Sequence, residues 1–360
     1  MRLRAQAIDC RGRVVMPGFV DSHTHLIFAG SRVNDYELRL RGKTYEEIAS
    51  AGGGIQSSAQ KVRTASVSSL AEQARKFLGE FAAHGTTTME VKSGYGLAIE
   101  QELKILRVIR ILQQDTTLDL LSTLLALHAL PASFKGRAAQ YVEEVITRLI
   151  PVVAHGKLAE FIDCFCDRGA FSVEDCRRVL AAGRGFGLVP RIHAEQHSRT
   201  GAALLGIKCG AASAEHLDKV SPADIRALAR SNVVATLLPG VNFHPGLKQY
   251  PPARRLITAG AAVALATDFN PGTSPTLNMQ FIMSLACTQM RMTPPEAIAA
   301  STINGACARR RADRIGSLEA GKQADLIVLD VDDYREIPYY FAVNHCVMTV
   351  KRGRIIYSQG

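Results

Sequence analysis

Two histidines separated by one residue, His23 and His25, close an apolar run in "GFVDSHTHL" (residues 18–26). Residues two apart on a β-strand project to the same side, so both imidazoles can reach one ion. The pair alone is a weak signal, because a strand that simply runs out also ends in polar residues. His193 in "RIHAEQ" and Asp268 in "ATDFN" complete a set of three nitrogens and one oxygen. Such donors suit zinc or ferrous iron and leave one coordination position for water. A divalent cation brings the pKa of its water to about 7 and polarises a carbonyl, which is equipment for hydrolysis. Other chemistries lack their devices: there is no Gly-x-Ser-x-Gly elbow, no phosphate-cradling glycine loop followed by lysine, and no cysteine beside a histidine on a recognisable turn.

These residues need a scaffold, and the pattern of the chain supplies one. Short apolar, β-branched runs alternate with helical stretches almost from end to end, the signature of βα units and a parallel sheet. Eight candidate strands are "RVVMPGFVDSH", "TTTMEVKSG", "LLSTLLALHAL", "AEFIDCFCD", "LVPRIHAEQ", "SAEHL", "VVATLLPG" and "AVALATDFN". Helical patterns between them include Gln101 to Gln113, Ala139 to Val153, Val173 to Ala182 and Asp224 to Arg230, the last opening with Ser221 and Pro222. Eight units over roughly 250 residues indicate an α/β fold, a (β/α)8 TIM-like barrel. No glycine-rich dinucleotide fingerprint follows the first strand, which weighs against an open doubly wound sheet. Pro294 to Ala308 reads as a further helix. From about Ile315 the period changes, and "IGSLEAGKQADLIVLD" and "NHCVMTVKRGRIIYS" read as strands of a small β appendage.

Barrel chemistry sits at the carboxyl ends of the strands, and polar residues gather there. Strand one ends in His23 and His25, strand two in Lys92 and Tyr95, strand three in His128 and strand five in His193, Glu195 and Gln196. Glu215 and His216 end strand six, and Asp268 and Asn270 end strand eight. Composition narrows the setting. Eight scattered cysteines form neither a disulfide scaffold nor a CxxC knuckle. The net charge of +10 is dispersed, and its densest cluster, "CARRRADR", reads as a solvated helix end. Without tryptophan or interleaved aromatic and basic residues, nucleic acid is not an expected partner. No apolar run reaches 18 residues and the start lacks a secretory core, so no membrane partner and a cytoplasmic location are expected.

Taken together, "PGFVDSHTHL", the lone histidine of strand five, "SAEHL", the aspartate of strand eight and "GSLEAGKQADLIVLD" resemble the metal-dependent amidohydrolase superfamily. Within it, "FAGSR", "AGGGI", "EVKSGYGL", "ALHALP", "HAEQ", "LPGVNF", "ATDFNPGTSPT" and "SLAC" are similar to the imidazolonepropionase family. That resemblance implies hydrolysis of the cyclic amide of 4-imidazolone-5-propanoate to N-formimino-L-glutamate in histidine degradation. It implies one divalent metal, zinc or iron, on His23, His25, His193 and Asp268. It further implies substrate contacts from Arg32, Tyr95, His128, Gln196, Asn270, Gly272 and Thr273, with His216 and Asp268 catalytic. Arg32 offers a planar fork for the propionate of a small anionic substrate, and Tyr95 can present its hydroxyl from a flexible loop. Either Gln196 or Glu195 faces the ring, Glu195 being the alternative base. Lys92 ends strand two, whereas the carboxylated lysine of two-metal relatives belongs on strand four, so one metal is expected. The runner-up chemistry is a cytosine- or guanine-type deaminase, which Arg32 disfavours because nucleobases carry no carboxylate.

The resemblance also implies several β-strands ahead of the barrel, whereas about sixteen residues precede Pro17 here. The expected division is a barrel over 17–314 and an incomplete β-sandwich appendage from 1–16 and 315–360. Exposed edges on "ADLIVLD" and "MTVKRGRII" would then favour a homodimer.

Overall fold

The computed structural model describes residues 7–359. Its strands are β1 Val14–Pro17, β2 Phe19–Asp21, β3 Thr86–Lys92, β4 Asp119–Leu127, β5 Phe161–Cys166, β6 Val189–Pro190, β7 Ile192–Ala194, β8 Ser213–His216, β9 Val234–Leu237, β10 Val263–Leu265, β11 Leu326–Leu329, β12 Cys346–Lys351 and β13 Arg354–Ser358. From β2 to β10 all pairings are parallel, in chain order, with β6 and β7 forming one barrel strand interrupted at Arg191. The sheet closes between its ends: the Asp268 N–H donates to the His23 carbonyl at 3.0 Å, and the His25 N–H donates to the Phe269 carbonyl at 2.9 Å. Below that seam, Asp21 accepts from the Thr267 amide at 3.1 Å and its hydroxyl at 2.6 Å. The backbone carrying His23, His25 and Asp268 is therefore itself the last stitch of the barrel.

The run expected to be one first strand is two. Val14–Pro17 pairs antiparallel with β11, and the chain then turns into β2. Gly18 permits this because a Cβ there would lie 2.2 Å from the Thr87 side chain of β3. The barrel is clad in helices whose buried faces follow the 3.6 period, as with Leu103, Leu106, Ile109 and Leu112 of Ile99–Asp115. Capping boxes at Ser172, Ser221 and Thr293 start three of them. The expected helix Pro294 to Ala308 breaks at Thr302, whose ψ of −95° lies outside the helical range.

The appendage is a single antiparallel sheet, β1-β11-β12-β13, rather than a sandwich. Among the described residues, β11 is interior, so the expected open edge on "ADLIVLD" is not there; "MTVKRGRII" runs from the interior β12 into β13, which with β1 forms the edges. The sheet docks on the barrel through the Thr349 hydroxyl, which donates to the Ala82 carbonyl at 2.7 Å. Lys351 joins Asp325 and Asp119, each at 2.7 Å, across the same junction. The arginine cluster is also not a plain solvated end, because Arg309 is wholly buried inside the base of the barrel. No helix is long and apolar enough to cross a membrane among the described residues.

Candidate active site

His23, His25, His193, His216 and Asp268 converge, all buried, at the carboxyl end of the barrel. The donor atoms of His23, His25 and Asp268 lie within 4.8 Å of one another, as do those of His23, His193 and His216. His23 belongs to both groups. Its Nδ1 faces the Glu215 carboxylate at 2.7 Å, and His193 Nδ1 faces Asp163 at 2.9 Å. A carboxylate beside each Nδ1 favours the tautomer with the proton there and the lone pair on Nε2, although neither Nδ1 makes an aligned hydrogen bond. His23 Nε2 then stands 3.4 Å from Asp268 Oδ1, and neither atom, nor His193 Nε2, has a hydrogen-bond partner. Acceptors buried face to face repel one another unless a cation lies between them, so the donor set fits a divalent metal. Burial holds His23, His25 and His216 well below the ordinary imidazole range, in the neutral, ligating form. Burial also pushes the Asp268 carboxyl up to about 7, against the pull of His193.

Beneath the histidines lies a layer of charge with no exposure to solvent. Lys92 reaches Asp163 at 2.6 Å, Glu90 at 2.9 Å and Glu215 at 3.0 Å. Arg191 contacts Glu215 and lies 3.2 Å from Glu90, while Arg309 reaches Glu90 at 2.8 Å. Both guanidiniums cover the Phe161 ring, at 5.6 and 4.9 Å. Burial alone would raise the Asp163 carboxyl, but His193 and Lys92 hold it well below the usual range. Lys92 is thus an ion-pair hub.

Around the rim the remaining candidates fall into two sets. His128 stacks on His25, ring centroids 5.0 Å apart and 12° from parallel, and its Nδ1 contacts the Gly94 carbonyl at 3.0 Å. Burial pushes its pKa down to about 3. Tyr95 stands 5.6 Å from His25 and 5.5 Å from His128, ring to ring. Its loop is braced: the buried Glu102 carboxylate accepts from the amides of Gly94 at 2.7 Å, Gly96 at 2.7 Å and Leu97 at 2.9 Å. Arg32 anchors its Nε on Asp35 at 2.8 Å and lays Nη1 against Gly272, where a Cβ would meet that nitrogen at 2.3 Å. Gln196 is half-buried beside these residues in sequence and on the same strand end as His193.

Glu195 and Asn270 are occupied with the backbone. Glu195 accepts from the amides of Thr200 at 2.6 Å, Gly201 at 2.9 Å and Ala203 at 3.3 Å, which turns its carboxylate onto the following helix start. Asn270 accepts from Gly272 and Thr273, both at 2.8 Å, and donates to the Asp268 carbonyl at 2.7 Å. It shapes the loop that carries Gly272 and Thr273. Glu195, His216 and Asp268 all adopt left-handed φ, at 56°, 72° and 49°. Strain of this kind, of order 1–3 kcal/mol each, gathers where a site is held in place by its surroundings.

Sequence reasoning had missed Asp163, Glu102 and Arg309, and had given Glu215 no role. Asp163 was visible as a lone acid inside the apolar strand "FIDCFC". Glu102 was visible as an acid on the apolar face of its helix, one turn from Ile105 and Leu106. Nothing local marks Arg309.

Comparison with known proteins places this geometry. The Amidohydrolase family model matches residues 6–63 and 53–357. Imidazolonepropionase from Geobacillus kaustophilus (strain HTA426) is 47% identical over 99% of this chain and 84% of its own length. The enzyme of that name from Solibacter usitatus (strain Ellin6076) is 45% identical over 98% and 85%. Among solved structures, 5-methylcytosine deaminase from Klebsiella pneumoniae, liganded with 5-fluorocytosine, superposes with a TM-score of 0.78 over 100% of this chain and 90% of that one, at 19% identity. E. coli guanine deaminase does so with a TM-score of 0.70 over 99% and 87%, at 15% identity. The deaminase likenesses carry the fold alone, whereas the sequence identity carries the family: the chain belongs to the imidazolonepropionase family of amidohydrolases.

Proposed function

We propose that His23, His25, His193 and Asp268 hold one divalent ion, zinc or iron, in this hydrolase. Its relatives at 43–47% identity support the reaction: opening of 4-imidazolone-5-propanoate to N-formimino-L-glutamate. Water adds to the ring carbonyl carbon, the cyclic C–N bond breaks, the ring nitrogen takes a proton and a new carboxylate forms. When bound, the ion supplies Lewis acidity and an acidic water. Asp268 takes the proton from water and returns it to the leaving nitrogen. His216 stabilises charge on the carbonyl oxygen. Arg32 receives the propionate through its free Nη atoms, with Gly272 and Thr273 on the same loop beside it. Gln196 faces the ring, and Tyr95 and His128 line it from the side of His25.

The observation that carries this reading is the meeting at the buried His23 of two groups of possible ligands, one with His25 and Asp268 and one with His193 and His216. The experiment is metal analysis of the purified protein with the decay of imidazolone absorbance on adding 4-imidazolone-5-propanoate. One equivalent of metal and decay are expected. Ammonia release from cytosine or guanine instead would favour deaminase chemistry. We also propose a cytoplasmic homodimer. The turn between β11 and β12 exposes Tyr339 at 74% and Phe341 at 71%, with Tyr340 and Val343 beside them, an apolar face suited to burial against a second copy. Light scattering at the monomer mass would reject it.

A further inference from the structure

The six charges under the histidines hold more organisation than folding alone explains. Three carboxyl groups, Glu90, Asp163 and Glu215, meet three cations, Lys92, Arg191 and Arg309, and none of the six is exposed. Lys92 alone touches all three carboxylates. Two of them point onward to different rings: Glu215 to His23 Nδ1 and Asp163 to His193 Nδ1. The two rings come from opposite parts of the chain and stand 4.6 Å apart, centroid to centroid. A single ammonium is therefore the shared anchor of both ring-orienting carboxylates. Arg309 and Glu90 complete the charge balance, Arg309 standing 3.9 Å from the Glu215 oxygen that does not face Lys92.

We propose that Lys92 is a positioning residue of the metal centre, fixing through Asp163 and Glu215 the orientation and tautomer of His193 and His23 together. The inference rests on the ligand set argued above. Its physical basis is that a ring whose outer partner can swing no longer presents Nε2 along one direction, and that loss falls on metal affinity. Arginine would not serve as well, since a planar fork cannot place three donors on three carboxylates around a point.

The test compares two charge-balanced double variants of the full chain, stripped of metal and titrated back against a competing chelator. Lys92→Met/Glu90→Gln removes one cation and one anion, and so does Arg309→Met/Glu90→Gln, which leaves the Lys92 contacts to Asp163 and Glu215 in place. The first is expected to melt cooperatively and to bind metal about 10–100-fold more weakly, the range for lost outer partners. The second is expected to stay within about threefold of wild type. Wild-type affinity in the first variant, or equal weakening in both, would overturn the proposal. So would failure of the Lys92 variant to fold while the Arg309 variant folds, because Lys92 would then serve stability. His23→Ala is the arm for the site itself: metal binding equal to wild type there would overturn the ligand set, and with it this inference.

Discussion

The two ends of the barrel interior treat buried polar groups in opposite ways. At the base, Glu90, Arg191 and Arg309 set opposite charges in contact, under the cover of Phe161. At the carboxyl end, His23 Nε2 and the Asp268 carboxylate face one another 3.4 Å apart without a hydrogen bond between them. The base offsets the desolvation of its charges by setting opposite signs side by side, although Arg309 makes no aligned side-chain hydrogen bond, and the upper layer leaves the solution to a cation. Lys92, Asp163 and Glu215 are the boundary, paired by charge from below and adjoining the rings above. Function is thus found where acceptors meet instead of opposite charges, and His216 and Asp268 hold left-handed backbone in that layer.

Breaking the upper layer should have the largest effect. His23→Ala removes the residue common to both donor groups. Loss of metal in elemental analysis and a fall in kcat/KM of about four orders of magnitude are expected, in keeping with loss of a metal-activated water. Full turnover in a metal-free preparation would break the contrast between the ends. Arg32→Met should come next. A charge-assisted pairing to the propionate is worth about 1.5–3 kcal/mol, so KM should rise about 10–150-fold with metal content unchanged. Steady-state kinetics beside metal analysis separate that outcome from damage to the ligands. Glu102→Gln should be milder, because the one amide oxygen can still accept from Gly96 and Leu97, while the side-chain NH2 is left facing the Gly94 N–H and that contact is lost. A rise in KM of roughly tenfold with a smaller change in kcat is expected, since the loop of Tyr95 loosens while the ligands stay. An equal fall in metal content would place Glu102 with the metal layer instead.

The sequence carried the barrel because strand and helix periods alternate cleanly, and it carried His23, His25, His193 and Asp268 because each sits where a candidate strand ends. What stayed hidden depends on contacts far apart along the chain. Arg309 lies in an arginine run after a helix, which by composition is a solvated end, and only the closed barrel reveals that its guanidinium fills the base. Glu195 and Gln196 are neighbours of the same size, and only the fold shows that the amides of Thr200 and Gly201 hold the Glu195 carboxylate. The loop around Tyr95 looked flexible from its two glycines, but their amides are bound by Glu102, an acid that a helical pattern assigns to no function. The split of the first run at Gly18 depends on Thr87 of the neighbouring strand. Period and residue type reveal which residues share a layer; they do not reveal which of them is already taken.

The smallest expected effect lies outside both layers and serves as their reference. Asp224 accepts from the Arg199 guanidinium at 2.7 and 2.9 Å and from the Ser221 amide at 2.8 Å, at the start of the helix Pro222–Ala229. The Arg199 hydrogen bond holds its carboxyl down to about 2. A carboxyl lowered on folding stabilises the native state while it is ionised, so the contribution is complete above the unfolded value of about 4 and is lost as pH falls toward about 2. Arg199 is 49% exposed, so solvent screens the pair and most of the stabilisation belongs to the cap. Asp224→Ala should therefore cost about 1 kcal/mol in urea melts at pH 7, the usual size for a lost cap. The gap between variant and wild type should narrow between pH 5 and pH 3, with metal content unchanged throughout. A gap that widens on acidification would reverse the sign argued for this carboxylate, and a loss of metal would tie the outer helices to the ligand layer that the barrel interior otherwise isolates.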